Sequence, residues 1–214
     1  MPRRTKEEAQ ETRRALLDAA ERVFSRRGVS RTSLTDIAEA AGVTRGAIYW
    51  HFSNKADLIE AMLGRVTLPL EQAAQEMSGQ HPDDPLQQVK QCMLGALMAT
   101  ATDAQAQRVF DILTHKCEYV DELYAVRERS LEMRVQCLKN VEKNLKRAIT
   151  LGQLPATVNA RLAAVGLHAM VDGLISNWLL DRRYVSLARQ AESLVDLFLE
   201  GLRGVPAAVK TGRK

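Results

Sequence analysis

The 214 residues are 46% hydrophobic and 26% charged, a globular composition on a chain long enough to bury a sizeable core. With no run of about 18 apolar residues and no basic-then-apolar leader, a soluble, cytoplasmic protein with no membrane partner is expected. Cys92, Cys117 and Cys137 are odd in number and lack ligand-like spacing, which speaks against a disulfide framework, and the net charge of +4 is concentrated in residues 1–55, where 11 Lys and Arg oppose 7 Asp and Glu.

In chain order, residues 1–11 read as a polar, basic, frayed arm. Leu16, Leu17, Ala20, Val23 and Phe24 then mark one stripe of an amphipathic helix from about Thr12 to Arg27, ended by Gly28. Ser33, with Asp36 three residues on, caps the next helix, and Leu34, Ile37, Ala38 and Ala41 share one of its faces. Gly42 supplies the left-handed residue that closes a helix, Val43 plugs the corner, and Thr44 caps a short second helix from Arg45. This is the pattern of a helix-turn-helix, which Leu34, Ile37, Ile48 and Phe52 would pack onto the first helix as a three-helix domain. In that geometry the second helix of the motif lies in the major groove of DNA while the first crosses the backbone. Three aromatics and a histidine in Tyr49-Trp50-His51-Phe52 are costly to solvate unless some face a core and others a partner.

The run Gly42-Val-Thr-Arg-Gly-Ala-Ile-Tyr-Trp-His-Phe-x-Asn-Lys55 resembles the DNA-binding signature of the TetR family of bacterial repressors, in particular the branch that represses multidrug efflux pumps. The candidate DNA-binding residues are Ser33, Thr35, Thr44, Arg45, Gly46, Ala47, Tyr49, Trp50, His51 and Lys55. Arg45 is long enough for bidentate bonds to guanine O6 and N7, and Thr44 with the helix-end N–H groups suits a phosphate. Gly46 and Ala47 either face a thymine methyl or only allow close approach; Tyr49 and His51 donate to phosphates, and Lys55 clamps one. Trp50 is expected to be half in the core. Ser33 and Thr35 are weaker candidates, since Ser33 is used as a cap, and the amino-terminal arm with Arg3, Arg4 and Lys6 can touch the backbone or minor groove.

Lys55 begins a fourth helix with Leu58, Ile59, Met62, Leu63 and Val66; Pro69 predicts a kink or break in its continuation to about Met77. A loop over Ser78–Asp84 follows. Asp84-Pro85 opens a helix to about Ala99, and Asp103 caps a shorter one through Leu113. A long, charge-laced helix runs from about Val120 to Thr150, stopped by Gly152 and Pro155, and two more cover about Val158–Leu180 and Leu187–Leu202. The fold class is all-α with about nine helices: a DNA-binding domain over 1–55, a ligand-binding and dimerisation domain over 56–205, and a tail over 206–214. The last two helices are apolar on several sides, so they lie either in the middle of the domain or at a subunit interface. The family resemblance implies the interface, a four-helix bundle from two copies whose symmetry matches a pseudo-palindromic operator.

The resemblance also implies an apolar effector pocket among the middle helices, with candidate lining residues Met93, Leu97, Phe110, Leu113, Thr114, Cys137, Val141, His168, Val171, Asp172 and Ile175. For the aliphatic positions ordinary core is the competing assignment. Asp172 interrupts an apolar helix; buried, it would need a partner, which a cationic or hydrogen-bonding drug can supply, and a capping or interface role is the alternative. No cofactor or metal site is expected: His115, Cys117 and Glu118 do not converge on a helix, and no catalytic motif is present. The implied function is a homodimeric repressor that releases operator DNA when a hydrophobic or cationic small molecule binds. A thiol-responsive or metabolic regulator of the same fold, and a helical scaffold or enzyme without DNA binding, are the alternatives.

Overall fold

The computed structural model describes residues 6–80, 83–119 and 123–206. Among them lie nine α-helices and no strand: α1 (Lys6–Arg27), α2 (Leu34–Ala40), α3 (Arg45–His51), α4 (Lys55–Gln80), α5 (Pro85–Thr102), α6 (Ala104–His115), α7 (Tyr124–Thr150), α8 (Ala160–Leu180) and α9 (Leu187–Arg203). They form two compact units, one made of the chain to Leu68 with Ala104–Leu131, the other of Pro69–Asp103 with the chain from Glu132 onward.

In the first unit α1, α2 and α3 pack on one another around Leu16, Leu17, Ala20, Phe24, Ile37, Ile48 and Phe52, all essentially inaccessible to solvent. Helix α6 lies against α1 and buries Ala106, Val109 and Ile112. Glu21, on the buried face of α1, is only 1% exposed and would be costly there without partners. Three side chains supply them: Arg65 from α4 at 3.2 Å, and Gln105 and Arg108 from α6 at 2.9 and 3.2 Å. Beyond α6, the Lys116 carbonyl accepts the Val29 N–H at 3.0 Å and the Lys116 ammonium donates to the Ser25 carbonyl at 2.7 Å, fastening this end of α6 to the corner before α2.

In the second unit α5 packs along α8 and α9. Its core holds Leu86, Val89, Met93 and Leu97 of α5 with Leu145, Ala148, Ala164, Leu167, Leu187, Ala191, Val195 and Leu199. Lys90 on α5 bridges Glu192 and Asp196 of α9, each at 2.8 Å, and these two carboxylates, Asp196 first, hold its ammonium pKa above the ordinary value. Gly166 lets α9 approach α8 closely, since a Cβ there would stand 2.9 Å from Phe198 Cζ. At the end of α7, Gly152 takes φ 74° while Gln153 N–H bonds back to the Ala148 carbonyl and Gly152 N–H to Ile149, a Schellman closure.

Three local expectations change. Helix α1 begins at Lys6, so the basic arm is helical from there, and Arg3 and Arg4 lie outside the described residues. Helix α4 runs through Pro69 without interruption to Gln80, and the loop that replaces Ser78–Asp84 is correspondingly shorter, with 81–82 outside the described residues. Helix α7 starts at Tyr124 rather than near Val120. The boundary between the compact units falls inside α4 and assigns α6 to the first unit, a division by contact that differs from the division by motif at residue 55.

Candidate nucleic-acid interface and effector residues

Ser33 caps α2 reciprocally: its hydroxyl accepts the Asp36 N–H at 3.1 Å and its own N–H donates to the Asp36 carboxylate at 2.7 Å. The Ser33 side chain, then its backbone N–H, and more weakly Arg27, hold the Asp36 pKa below the usual carboxylate value. At the far end Gly42 adopts φ 68°, Val43 N–H bonds to the Ala38 carbonyl at 3.0 Å and Gly42 N–H to Glu39 at 3.0 Å, which closes the helix as a Schellman motif and turns the chain into α3. Thr44 then caps α3 by accepting the Ala47 N–H at 3.3 Å.

Helix α3 is anchored by Ile48, fully buried, and by Phe52 just beyond it, 1% exposed, under the guanidinium of Arg13 at 5.0 Å. The opposite face turns outward. Thr44, Arg45, Gly46, Tyr49 and Trp50 are exposed, with Ala47 and His51 half-buried. Trp50 is 73% exposed, so it is not half core as its apolar character suggests: Ile48 and Phe52 already fill the available core positions, and Trp50 instead meets the His51 ring edge-on at 4.5 Å. The Arg45 guanidinium lies 5.5 Å from the Tyr49 ring, one turn away, which steers it along the exposed face. Lys55 opens α4 beneath this face and is half-buried, its ammonium 3.4 Å from the Val29 carbonyl.

Ser33, Tyr49 and Lys55 line one open groove together with Ser30, Arg31, Ser53 and Asn54. These four were not among the candidates. Ser30 and Arg31 precede the first cap and Ser53 and Asn54 precede α4, so the signal was present in two polar pairs at helix starts, where hydroxyls, an amide and a guanidinium collect.

The effector candidates divide between the units. Phe110, Leu113 and Thr114 belong to α6 in the first unit, and the other eight belong to the second. Met93, Leu97, Val141 and Val171 are buried in the second unit's core, with Cys137 and Ile175 packed partly exposed against it. Asp172 is not buried: its side chain is 56% exposed, and its partner is internal, His168 Nδ1 at 3.1 Å one turn earlier on α8. The hydrogen bond that the His168 ring donates to the Asp172 carboxylate, opposed by burial, raises the His168 pKa.

Residues 84–203 match the C-terminal region of MAATS-type transcriptional repressors, and residues 16–62 match the bacterial regulatory proteins of the tetR family. The chain belongs to the TetR family. As a member it is a DNA-binding transcriptional regulator, with the family's amino-terminal helix-turn-helix and carboxy-terminal ligand-binding region. TetR-family relatives align along nearly the whole chain. The regulator TtgR of Pseudomonas putida is 44% identical over 210 residues, covering 98% of this chain and all of the relative. NalD, the secondary repressor of the MexAB-OprM multidrug efflux pump in Pseudomonas aeruginosa, is 38% identical with a TM-score of 0.84, covering 94% of this chain and 100% of that one. SmeT, the repressor of the Stenotrophomonas maltophilia multidrug efflux pump SmeDEF, solved with triclosan, is 30% identical with a TM-score of 0.79, covering 96% and 98%.

Proposed function

We propose that this regulator represses a multidrug efflux operon, binding a pseudo-palindromic operator as a homodimer in the cytoplasm and letting go when a hydrophobic or cationic small molecule binds its second unit. Residues 1–55 carry the DNA contacts and 56–205 the effector and dimer contacts. The observation that carries the reading is the division of α3: two buried anchors, Ile48 and Phe52, and an outward face of Arg45, Gly46, Tyr49 and Trp50. Arg45 pairs with a base edge, while Thr44, Tyr49, His51 and Lys55 take phosphates. Thr35 and Ala47, half-buried, stand behind them, and Ser33 contributes as a cap.

For the dimer, support comes from α8 and α9, which leave Leu162, Val165, Leu180 and Leu197 at 67, 42, 69 and 73% exposure. Apolar surface of that extent on adjacent helices favours a second copy over water. By length and composition α8 would also pass for a membrane span; its Asn159 cap and its packing with α5 and α9 favour the soluble reading. For the effector, Cys137, Ile175 and the His168–Asp172 pair offer a partly exposed apolar wall with one cation-attracting carboxylate.

The test is fluorescence anisotropy of labelled DNA from upstream of the chain's own gene, titrated with the protein and then with hydrophobic and cationic compounds, triclosan among them. Saturable binding that such compounds reverse is expected. Binding that none of them alters removes the effector half of the reading, and indifference to DNA sequence removes the operator half.

A further inference from the structure

We propose that Glu118, just beyond α6, is an intramolecular competitor of DNA: its carboxylate holds the Ser30 hydroxyl that a backbone phosphate would otherwise take, and its charge repels that phosphate. The inference rests on the reading of α3 and its groove as the DNA surface. Ser30 Oγ donates to Glu118 Oε2 at 3.3 Å across 88 positions of chain, and both residues are exposed within the first unit. Ser30 also lines the open groove that Tyr49 and Lys55 share. The segment is fixed on both sides of Glu118. The Lys116 carbonyl accepts the Val29 N–H at 3.0 Å, the Lys116 ammonium reaches the Ser25 carbonyl at 2.7 Å and the Asp111 carboxylate at 3.2 Å, and the Tyr119 hydroxyl donates to the Leu113 carbonyl at 3.0 Å. The Val29 carbonyl in turn lies 3.4 Å from the Lys55 ammonium, so one corner of chain carries both Ser30 and the support of a candidate phosphate clamp.

Asp36 and Asp57 each close a cap beside this groove, accepting the Ser33 N–H at 2.7 Å and the Ser53 N–H at 3.0 Å. Glu118 arrives from outside these helices and acts on Ser30 alone among the groove's hydroxyls. A serine hydroxyl has one proton. While Glu118 accepts it, Ser30 turns only lone pairs toward the groove, and a phosphate, itself an acceptor, finds no donor there. The carboxylate adds like-charge repulsion, which counts most at low salt. The bond is long for a hydroxyl donor and open to solvent, so an incoming phosphate can exchange for the carboxylate rather than be shut out. Because the competition concerns backbone phosphate and not base edges, it weakens binding to every sequence alike.

The full chain, with E118A, E118Q, S30A and the E118A/S30A double variant, would be titrated by fluorescence anisotropy onto a labelled duplex from upstream of its own gene and onto a random duplex, over a range of KCl. E118A should bind both duplexes roughly two- to fivefold more tightly than wild type, in keeping with the modest strength of an exposed charge interaction, and the gain should shrink as salt rises. E118Q keeps an acceptor for Ser30 but no charge, so it should retain part of the gain. S30A should cost more affinity in E118A than in wild type, a coupling that a merely structural role for Glu118 would not produce. E118A and E118Q both binding like wild type or more weakly, or S30A acting equally in the two backgrounds, would overturn the proposal. Equal wild-type affinity for the two duplexes would count instead against the operator reading, and the ratio of E118A to wild type would still decide the role of Glu118.

Discussion

Of the seven residues of α3 only Ile48 is buried, and the surface turned outward carries Arg45, Tyr49 and Trp50; α8, with 21 residues, turns outward Leu162, Val165 and Leu180 and keeps His168 bonded to Asp172. One helix exposes donors and rings, the other exposes hydrocarbon. Donors are readily hydrated and match phosphates and base edges, and the rings beside them, costly to leave in water, gain from the same partner, whereas exposed hydrocarbon loses roughly 25 cal/mol for each Å² left in water and matches another apolar surface. The contrast favours nucleic acid as the partner of α3 and, in the proposed function, a second copy as the partner of α8.

The largest expected effect tests the anchor of the first surface. Phe52→Ala should cost about 3–5 kcal/mol in urea unfolding, because it empties a fully buried site under Arg13; a loss below about 1 kcal/mol would mean that α3 does not hang from this residue. Arg45→Ala should cost about 1–3 kcal/mol of operator affinity and relax preference at one base position, seen by selection from randomised sites. Equal weakening on every sequence would make Arg45 a phosphate contact. On the second surface, Leu162→Asp should weaken self-association at least tenfold, about 1.4 kcal/mol, in sedimentation equilibrium without lowering the folded fraction. An unchanged dimer would move the interface elsewhere.

Smaller effects sharpen the contrast within each unit. Ser33→Ala removes one side of the cap of α2 and should lower stability by about 1 kcal/mol. The His168–Asp172 pair should contribute only a few tenths of a kcal/mol, because Asp172 is largely solvated. As the folded-state pKa of His168 is raised, this contribution is complete below the unfolded value of about 6.5 and disappears as pH rises through the higher folded value. Asp172→Asn should abolish that slope in unfolding free energy; a slope that persists would belong to another group.

What could be read without coordinates was the part whose physics is local. The Ser33–Asp36 cap, the Gly42 corner and the Thr44 cap each involve residues within five positions of one another, and each stands where the pattern put it. Glu21 escaped notice because its partners Arg65, Gln105 and Arg108 are 44 to 87 positions away, so nothing in the stripe of α1 marks it as a buried hub. Trp50 was misjudged for a related reason: composition says that an indole is apolar, but only packing says that Ile48 and Phe52 have already taken the inner positions. Core and candidate effector residues in α5 and α7 share one periodicity, and the partner of Asp172 lies within a turn of it on α8.

The central claim is that α3 reads a symmetric operator in two copies, and nuclease footprinting on the DNA upstream of the chain's own gene tests it most directly. Two protected half-sites related by two-fold symmetry, lost in Leu162→Asp at limiting protein and shifted in base preference by Arg45→Ala, are the predicted result. A single asymmetric protected patch, or none that differs from random DNA, would contradict it.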